Sequence, residues 1–201
     1  RDEAWERALR LIDLMGLNDF RDKCVAELSD GLRQRTCLAI AFMIKTPVLL
    51  IDDPTVHLDP LFILNFCQLV REECDMNKRC IIIATHNPFL ARVLADKLLL
   101  LRNGEMIFYG GVEDFLTKFN LETFEAVVDF TPKIEDLEKE FKVAVYTILL
   151  NHKPLKYYIR VTGFKLRDKV SEIVKKLNDV PNWRIKSSSL EESYSYVIKY
   201  A

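Results

Sequence analysis

The sequence predicts an α/β fold with a mostly parallel sheet, followed by a small α+β appendage. Three observations predict it. Val48-Leu49-Leu50-Ile51 and Ile81-Ile82-Ile83-Ala84 are short, wholly apolar strands that end at Asp52 and at Thr85-His86, with a helical stretch, Leu61 to Asp75, between them; that order argues a parallel sheet covered on both faces. Asn103-Gly104, between Leu98–Arg102 and Glu105–Tyr109, is a strong two-residue hairpin signal. Past about Pro132 the texture changes to short strands mixed with charged or amphipathic helical stretches.

The elements follow in order. Ala4 to Leu17 carries apolar residues at helical spacing (Ala4, Ala8, Leu11, Leu14, Met15), with Gly16 placed to cap its end. Ser29 is placed to cap a helix from about Leu32 to Lys45, which stops before Pro47 because a residue preceding proline disfavours the helical region. Ala39 to Ile44 is apolar nearly all round, so this helix is expected to be buried. Ala91 to Asp96 continues a helix and Val112 to Phe119 forms a short one. In the appendage Ile134 to Glu140 is a charged helical stretch, Val143 to Leu150 and Tyr157 to Thr162 are strands, Leu166 to Leu177 is an amphipathic helix, Trp183 to Lys186 is a strand, and Leu190 to Tyr200 closes the chain as a helix. The expected domains are therefore 1–131 and 132–201.

A chain of 201 residues can hold one domain with a real core and a small appendage. Its 49% hydrophobic and 29% charged residues exclude a disordered chain. A net charge of −1 supplies no global field toward nucleic acid or anionic lipid, so no nucleic-acid partner is expected. The five cysteines form no C-x-x-C pair and match no zinc spacing, which favours reduced thiols in a cytosolic compartment. The longest apolar run, Val143 to Leu150, is strand length and too short to span a bilayer. The opening Arg-Asp-Glu-Ala-Trp-Glu-Arg reads as the middle of a helix, and the expectation is that the sequence starts inside a domain.

Three segments carry chemistry, in a fixed order: Leu28-Ser29-Asp30-Gly31-Leu32-Arg33-Gln34-Arg35 at a helix start, Leu49 to Asp59 running out of the first strand, and Ala84-Thr85-His86 at the end of the second. Each alone has an ordinary reading: a helix cap, a solvated strand end, a structural histidine. Together they have a physical logic. A helix N-terminus with a hydroxyl and a glycine offers N–H groups and partial positive charge to a phosphate. An acid at the carboxyl end of a buried strand sits where open α/β sheets bind ligands and can hold Mg²⁺ through water. A second acid beside it can orient or deprotonate a water, and a histidine on the neighbouring strand can hydrogen-bond a terminal phosphate.

On these residues the chain, from about Ala4 to Phe119, resembles the ATP-binding cassette (ABC) transporter ATPases, specifically the C-terminal half of their nucleotide-binding domain, a P-loop NTPase. Leu28 to Gln34 resembles the signature L-S-G-G-Q, Val48 to Asp53 the Walker B strand with its catalytic acid, Val56 to Asp59 the D-loop, and His86 the switch histidine. The resemblance implies ATP and Mg²⁺ as ligands, with Asp52 in the Mg²⁺ shell through water, Asp53 acting on the attacking water and His86 contacting the γ-phosphate. Ser29 and Gly31 would contact the γ-phosphate of an ATP held on a second nucleotide-binding domain, since family members work as head-to-tail pairs, and Asp59 would lie in the D-loop. A transmembrane domain would convert the cycle into transport, placing the cassette on the cytosolic face of a membrane. Ser189-Leu190-Glu191-Glu192-Ser193-Tyr194, and likewise Leu121 to Ala126, look like the short closing helix of exporter-type cassettes; Tyr157 to Tyr200 resembles the small α+β regulatory domain after A-subfamily cassettes, which include lipid exporters.

The departures are specific. The sequence contains no G-x-x-x-x-G-K-[ST] loop, so the chain alone should bind ATP poorly, and a fragment is expected. Asp53 stands where the family has glutamate, which shortens the carboxylate's reach and predicts slow hydrolysis; Asp30 and Leu32 replace signature residues, and His57 is unusual bulk in the D-loop. Three functions follow as alternatives: the ATPase part of a transporter, more an exporter than an importer, with a weakened site; a non-hydrolysing regulatory subunit; or a soluble ABC ATPase unconnected to transport.

Overall fold

The structure is a computed structural model that describes residues 2–152 and 155–200. The backbone divides into two compact units, Arg1–Leu94 and Ala95–Ala201.

In the first unit α1 (Asp2–Leu14) and α2 (Asp30–Met43) precede β1 (Val48–Asp52), α3 (Pro60–Asp75), β2 (Cys80–Ala84) and α4 (Pro88–Leu94). The helix starts and stops are local chemistry. Gly16 takes a left-handed φ of 61° after α1, and a Cβ there would lie 2.8 Å from the Phe62 ring. Ser29 Oγ accepts the Leu32 N–H at 3.4 Å to cap α2. Asp59 caps α3, accepting the Leu61 and Phe62 N–H groups at 3.1 and 3.2 Å, with Pro60 in the first helical position. Leu11, Met15, Leu38, Phe42, Phe66 and Leu69 form the core, with the Phe42 and Phe66 rings edge to face. Glu73 is buried with Arg79 at 3.2 Å and Arg7 at 2.8 Å, and Arg79 also donates to the Ile44 and Thr46 carbonyls, so this ion pair ties the chain entering β1 to α3.

Strands β1 and β2 pair in parallel, from Val48 opposite Cys80 to Asp52 opposite Ala84. Leu49, Ile51, Ile81 and Ile83 pack on the core, whereas Leu50 and Ile82 on the other face are 71% and 56% exposed. The expectation of a sheet covered on both faces is corrected: one face is covered. The burial of α2 is corrected in the same way, since Leu38, Ala39 and Phe42 are buried and Ile40 and Ile44 are exposed. In both elements the apolar character extends further round than the layers that pack against them.

The second unit opens with β3 (Leu98–Arg102) and β4 (Glu105–Gly110), turned by Asn103 and Gly104, both at positive φ as a tight hairpin turn requires. After α5 (Val112–Phe119) come β5 (Leu121–Val128), α6 (Ile134–Phe141), β6 (Ala144–His152), β7 (Leu155–Phe164), α7 (Leu166–Lys176), β8 (Trp183–Ser187) and α8 (Leu190–Tyr200). Strands β5 to β8 form an antiparallel sheet in the order β6-β7-β5-β8. Leu121 to Ala126, read from sequence as a closing helix, is a strand. It is inserted between β7 and β8 and alternates Thr123 and Glu125 on one face with Phe124, Ala126 and Val128 on the other, so the tertiary pairing decides its conformation. The expected boundary after residue 131 lies in the connection between β5 and α6.

Leu137 and Phe141 of α6 and Leu166 and Ile173 of α7 cover one face of that sheet. On the other face Glu125 is buried among Arg160, Arg184 and Lys186. Ser189 and Glu192 exchange hydrogen bonds at the start of α8, a reciprocal capping pair. Among the described residues no helix is long and apolar enough to cross a membrane, and the five cysteines are free thiols.

Candidate functional site

The aligned ends of β1 and β2 build the site. Asp53 N–H donates to the Ala84 carbonyl at 2.9 Å, one rung beyond the strands, which brings the residues after each strand side by side. Asp53 then turns the chain at a φ of 38°, a left-handed conformation that an Asp tolerates better than most residues. Its Oδ1 lies 3.0 Å from His86 Nδ1 and 3.4 Å from the His86 backbone nitrogen. The carboxylate is half-exposed and the imidazole mostly exposed. Asp52, one residue earlier at the strand's end, is exposed. Hydrogen bonds from Val56 to Asp53 and from Leu58 to Thr55 fold the following loop into successive turns, and His57 within it has a φ of 61°.

The start of α2 is seated on that loop. A Cβ on Gly31 would come within 2.8 Å of the His57 carbonyl oxygen, so only glycine allows this approach. One turn further on, Gln34 Nε2 donates to the Pro54 carbonyl at 3.2 Å. Arg35 donates to Asp59 Oδ2 at 3.1 Å with its guanidinium 3.3 Å from the centre of the Phe62 ring. The Ser29–Gly31 helix start and the Asp53–Asp59 loop are therefore one assembly. Asp30 pairs with Arg33 in its own helix.

Sequence reasoning named Ser29, Gly31, Asp52, Asp53, Asp59 and His86. The structure brings Asp53 to His86, Gly31 to the loop and Asp59 to Arg35. The sequence alone assigns no part to Gln34 and Arg35, although their spacing from Gly31, i+3 and i+4, places all three on one helix face. Among the described residues no group of three His, Cys, Asp or Glu side chains could enclose a metal. The exposed Asp52 carboxylate at the strand end does fit Mg²⁺, which takes one or two carboxylates and fills the rest of its shell with water and phosphate oxygens.

Acids and a histidine beyond the carboxyl ends of parallel strands, beside a helix N-terminus, define the class of α/β nucleotide-binding domains. Residues 2–56 match the family model described as ABC transporter. Over 142 residues the chain is 34% identical to a protein of Pyrococcus abyssi named as an ABC transporter ATP-binding protein, covering 71% of this chain and 53% of that one. It is 37% identical over 105 residues to a phosphonates import ATP-binding protein of a Synechococcus strain, covering 52% and 39% of the two chains. It is 32% identical over 125 residues to the arginine transport ATP-binding protein of Escherichia coli, covering 62% and 51%. A solved structure, the ATP-binding subunit of an ABC transporter, superposes with a TM-score of 0.54 at 26% identity, covering 59% of this chain and 49% of that one. The chain belongs to the ABC transporter family and carries part of an ABC nucleotide-binding domain; it spans between 39% and 53% of the length of these curated relatives.

Proposed function

We propose that this chain supplies the signature, acid-strand and switch-histidine segments of an ATP-hydrolysing cassette that drives a transporter, and that its hydrolysis is slow. The observation that carries the reading is the 3.0 Å contact between Asp53 and His86 at the aligned ends of β1 and β2. His86 holds the acid through Nδ1 and presents Nε2 to the terminal phosphate. Asp53 orients the attacking water. Asp52 contributes to the Mg²⁺ shell through water, and the ion supplies charge neutralisation on the phosphates when bound. Ser29 and the N–H groups at Gly31 serve an ATP held on a second nucleotide-binding domain, head to tail with this one. The phosphate-binding loop comes from a segment this sequence does not carry. The open apolar face with Leu50 and Ile82 supports that, since a parallel strand pair ordinarily has both faces covered.

A transmembrane domain is the proposed partner, with the cassette on the cytosolic side of the membrane. Export, expected from the sequence, gains no support from the relatives, which include the phosphonates import protein. Slow turnover follows from two features: Asp53 is one methylene shorter than glutamate, and His86 draws its carboxylate back. A misplacement of about 1 Å costs on the order of 100-fold.

The test is ATP turnover of the cassette completed with a loop-bearing segment. Asp53→Asn should abolish it; turnover unchanged by that substitution would remove Asp53 from the reaction. The same contact favours a second reading, a non-hydrolysing subunit, because it commits Asp53 Oδ1 to His86 and leaves only Oδ2 for water. Background turnover in the unsubstituted protein and in Asp53→Glu alike would select it.

A further inference from the structure

We propose that Gln34 is a positioning residue for Asp53: by bonding the residue that follows Asp53, it holds this acid in a left-handed backbone conformation and so keeps its carboxylate on His86. The effect on turnover rests on the reading of Asp53 as the water-orienting acid; the geometry does not. Asp53 has a φ of 38°. It also precedes Pro54, and the proline ring pushes the residue before it toward extended backbone. The conformation is therefore disfavoured twice, by handedness and by the proline. Such a conformation persists only where the surroundings over-determine it.

Hydrogen bonds hold it from both sides. Upstream, the Asp53 N–H donates to the Ala84 carbonyl at 2.9 Å. Downstream, the Asp53 carbonyl accepts the Val56 N–H at 3.3 Å, and the carbonyl of the buried Pro54 accepts Gln34 Nε2 at 3.2 Å. With the upstream peptide fixed, any relaxation of φ turns Cβ about the N–Cα bond. That turn carries the carboxylate off its 3.0 Å contact with His86. The Val56 bond lies within the loop and moves with it. Gln34 reaches in from α2, so it ties the start of the loop to a separate element.

Gln34 has a task separate from that of its neighbours on the helix face. Gly31 meets the loop at His57 and Arg35 meets it at Asp59, both further along the chain. Those contacts seat the loop as a whole and remain when the Gln34 amide is lost. Gln34 acts beside the acid itself. Its amide is a neutral donor, so it bonds the Pro54 carbonyl without setting a charge next to the Asp53 carboxylate.

The test is ring-nitrogen NMR of His86 in the whole 201-residue chain, without nucleotide, at about pH 8, where an ordinary imidazole is neutral. An acid accepting at Nδ1 keeps the neutral ring in its Nδ1–H tautomer. That tautomer should predominate in the unsubstituted chain. Gln34→Met, equal in length but without a donor, should lower its ratio to the Nε2–H form by about threefold or more. Gln34→Glu, which sets an acceptor against the carbonyl, should lower it at least as far. Thr36→Val removes a bond within α2 and should leave the ratio unchanged. In the completed cassette Gln34→Met should lower kcat by about tenfold while KM for ATP changes by less than about twofold. A tautomer ratio that is the same with and without the Gln34 amide, or one lowered as far by Thr36→Val, would overturn the proposal. So would an unchanged kcat in a cassette whose turnover does depend on Asp53. If Asp53→Asn leaves turnover unchanged, the hydrolysis reading fails, and the tautomer ratio still decides the role of Gln34.

Discussion

Gly31 and His57 are so close that a single methyl group on Gly31 would lie 2.8 Å from the His57 carbonyl oxygen. The contact makes the helix start and the loop after the acid strand one body, and it is backbone against backbone, so no side chain can turn aside to relieve a clash. Gly31→Ala should cost about 1–3 kcal/mol in the stability of the first unit, the range for forced overpacking. Urea denaturation of the chain checks it; an unchanged midpoint would mean the loop is not seated as described.

Arg35 holds the same loop from the next turn. Its side chain is mostly buried, bonded to Asp59 and stacked on Phe62. Arg35→Ala should destabilise by about 1–2 kcal/mol, the sum of an ion pair and a cation–π contact. Arg35→Lys should recover less than half of that, because an ammonium cannot stack as a plane. Full recovery with lysine would show that charge alone matters at this position.

Asp30 would repel a phosphate if it faced one, but it is paired with Arg33. Asp30→Gly should therefore change ATP-driven pairing by less than about threefold, the scale of an exposed ion pair. Pairing tightened well beyond that would show that the carboxylate faces the nucleotide.

Glu125 makes the second unit acid-sensitive. Burial pushes its carboxyl up, but hydrogen bonds with Tyr158, Arg184 and Lys186 outweigh this and hold it at about 2, below the usual 4.5. A carboxyl lowered on folding contributes stability that is complete above its unfolded value and is lost as pH falls toward the folded one, so the window is pH 4.5 down to 2. The contribution is on the order of 3 kcal/mol. Trp183, stacked on Phe124, reports unfolding of this unit once Trp5 is replaced by Phe. Glu125→Gln should be less stable at neutral pH and should lose less stability on acidification; an identical acid profile would remove Glu125 as its source.

Much of this architecture is legible in the residues, and the illegible part has physical causes. Helix starts at Ser29 and Asp59 and the Asn103-Gly104 turn are local chemistry, so sequence suffices for them. Leu121 to Ala126 has the look of a helix in sequence because its strand conformation depends on β7 and β8, which arrive dozens of residues later. The exposure of Leu50 and Ile40 was also illegible, since apolar spacing shows what can be buried and not which layer does it. At the site, the order of acids, histidine and helix start was readable. The link between Asp53 and His86 was not, because it depends on the register that ends β1 and β2 together.

That link is also the most direct route to the central claim, that Asp53 is the water-orienting acid and is held back by its length and by His86. The measurement is steady-state ATP turnover of the completed cassette carrying Asp53→Glu, against the unsubstituted protein. A rise of about tenfold or more is expected as the carboxylate regains roughly one C–C bond of reach. Unchanged turnover, with Asp53→Asn as active as the original, would contradict it.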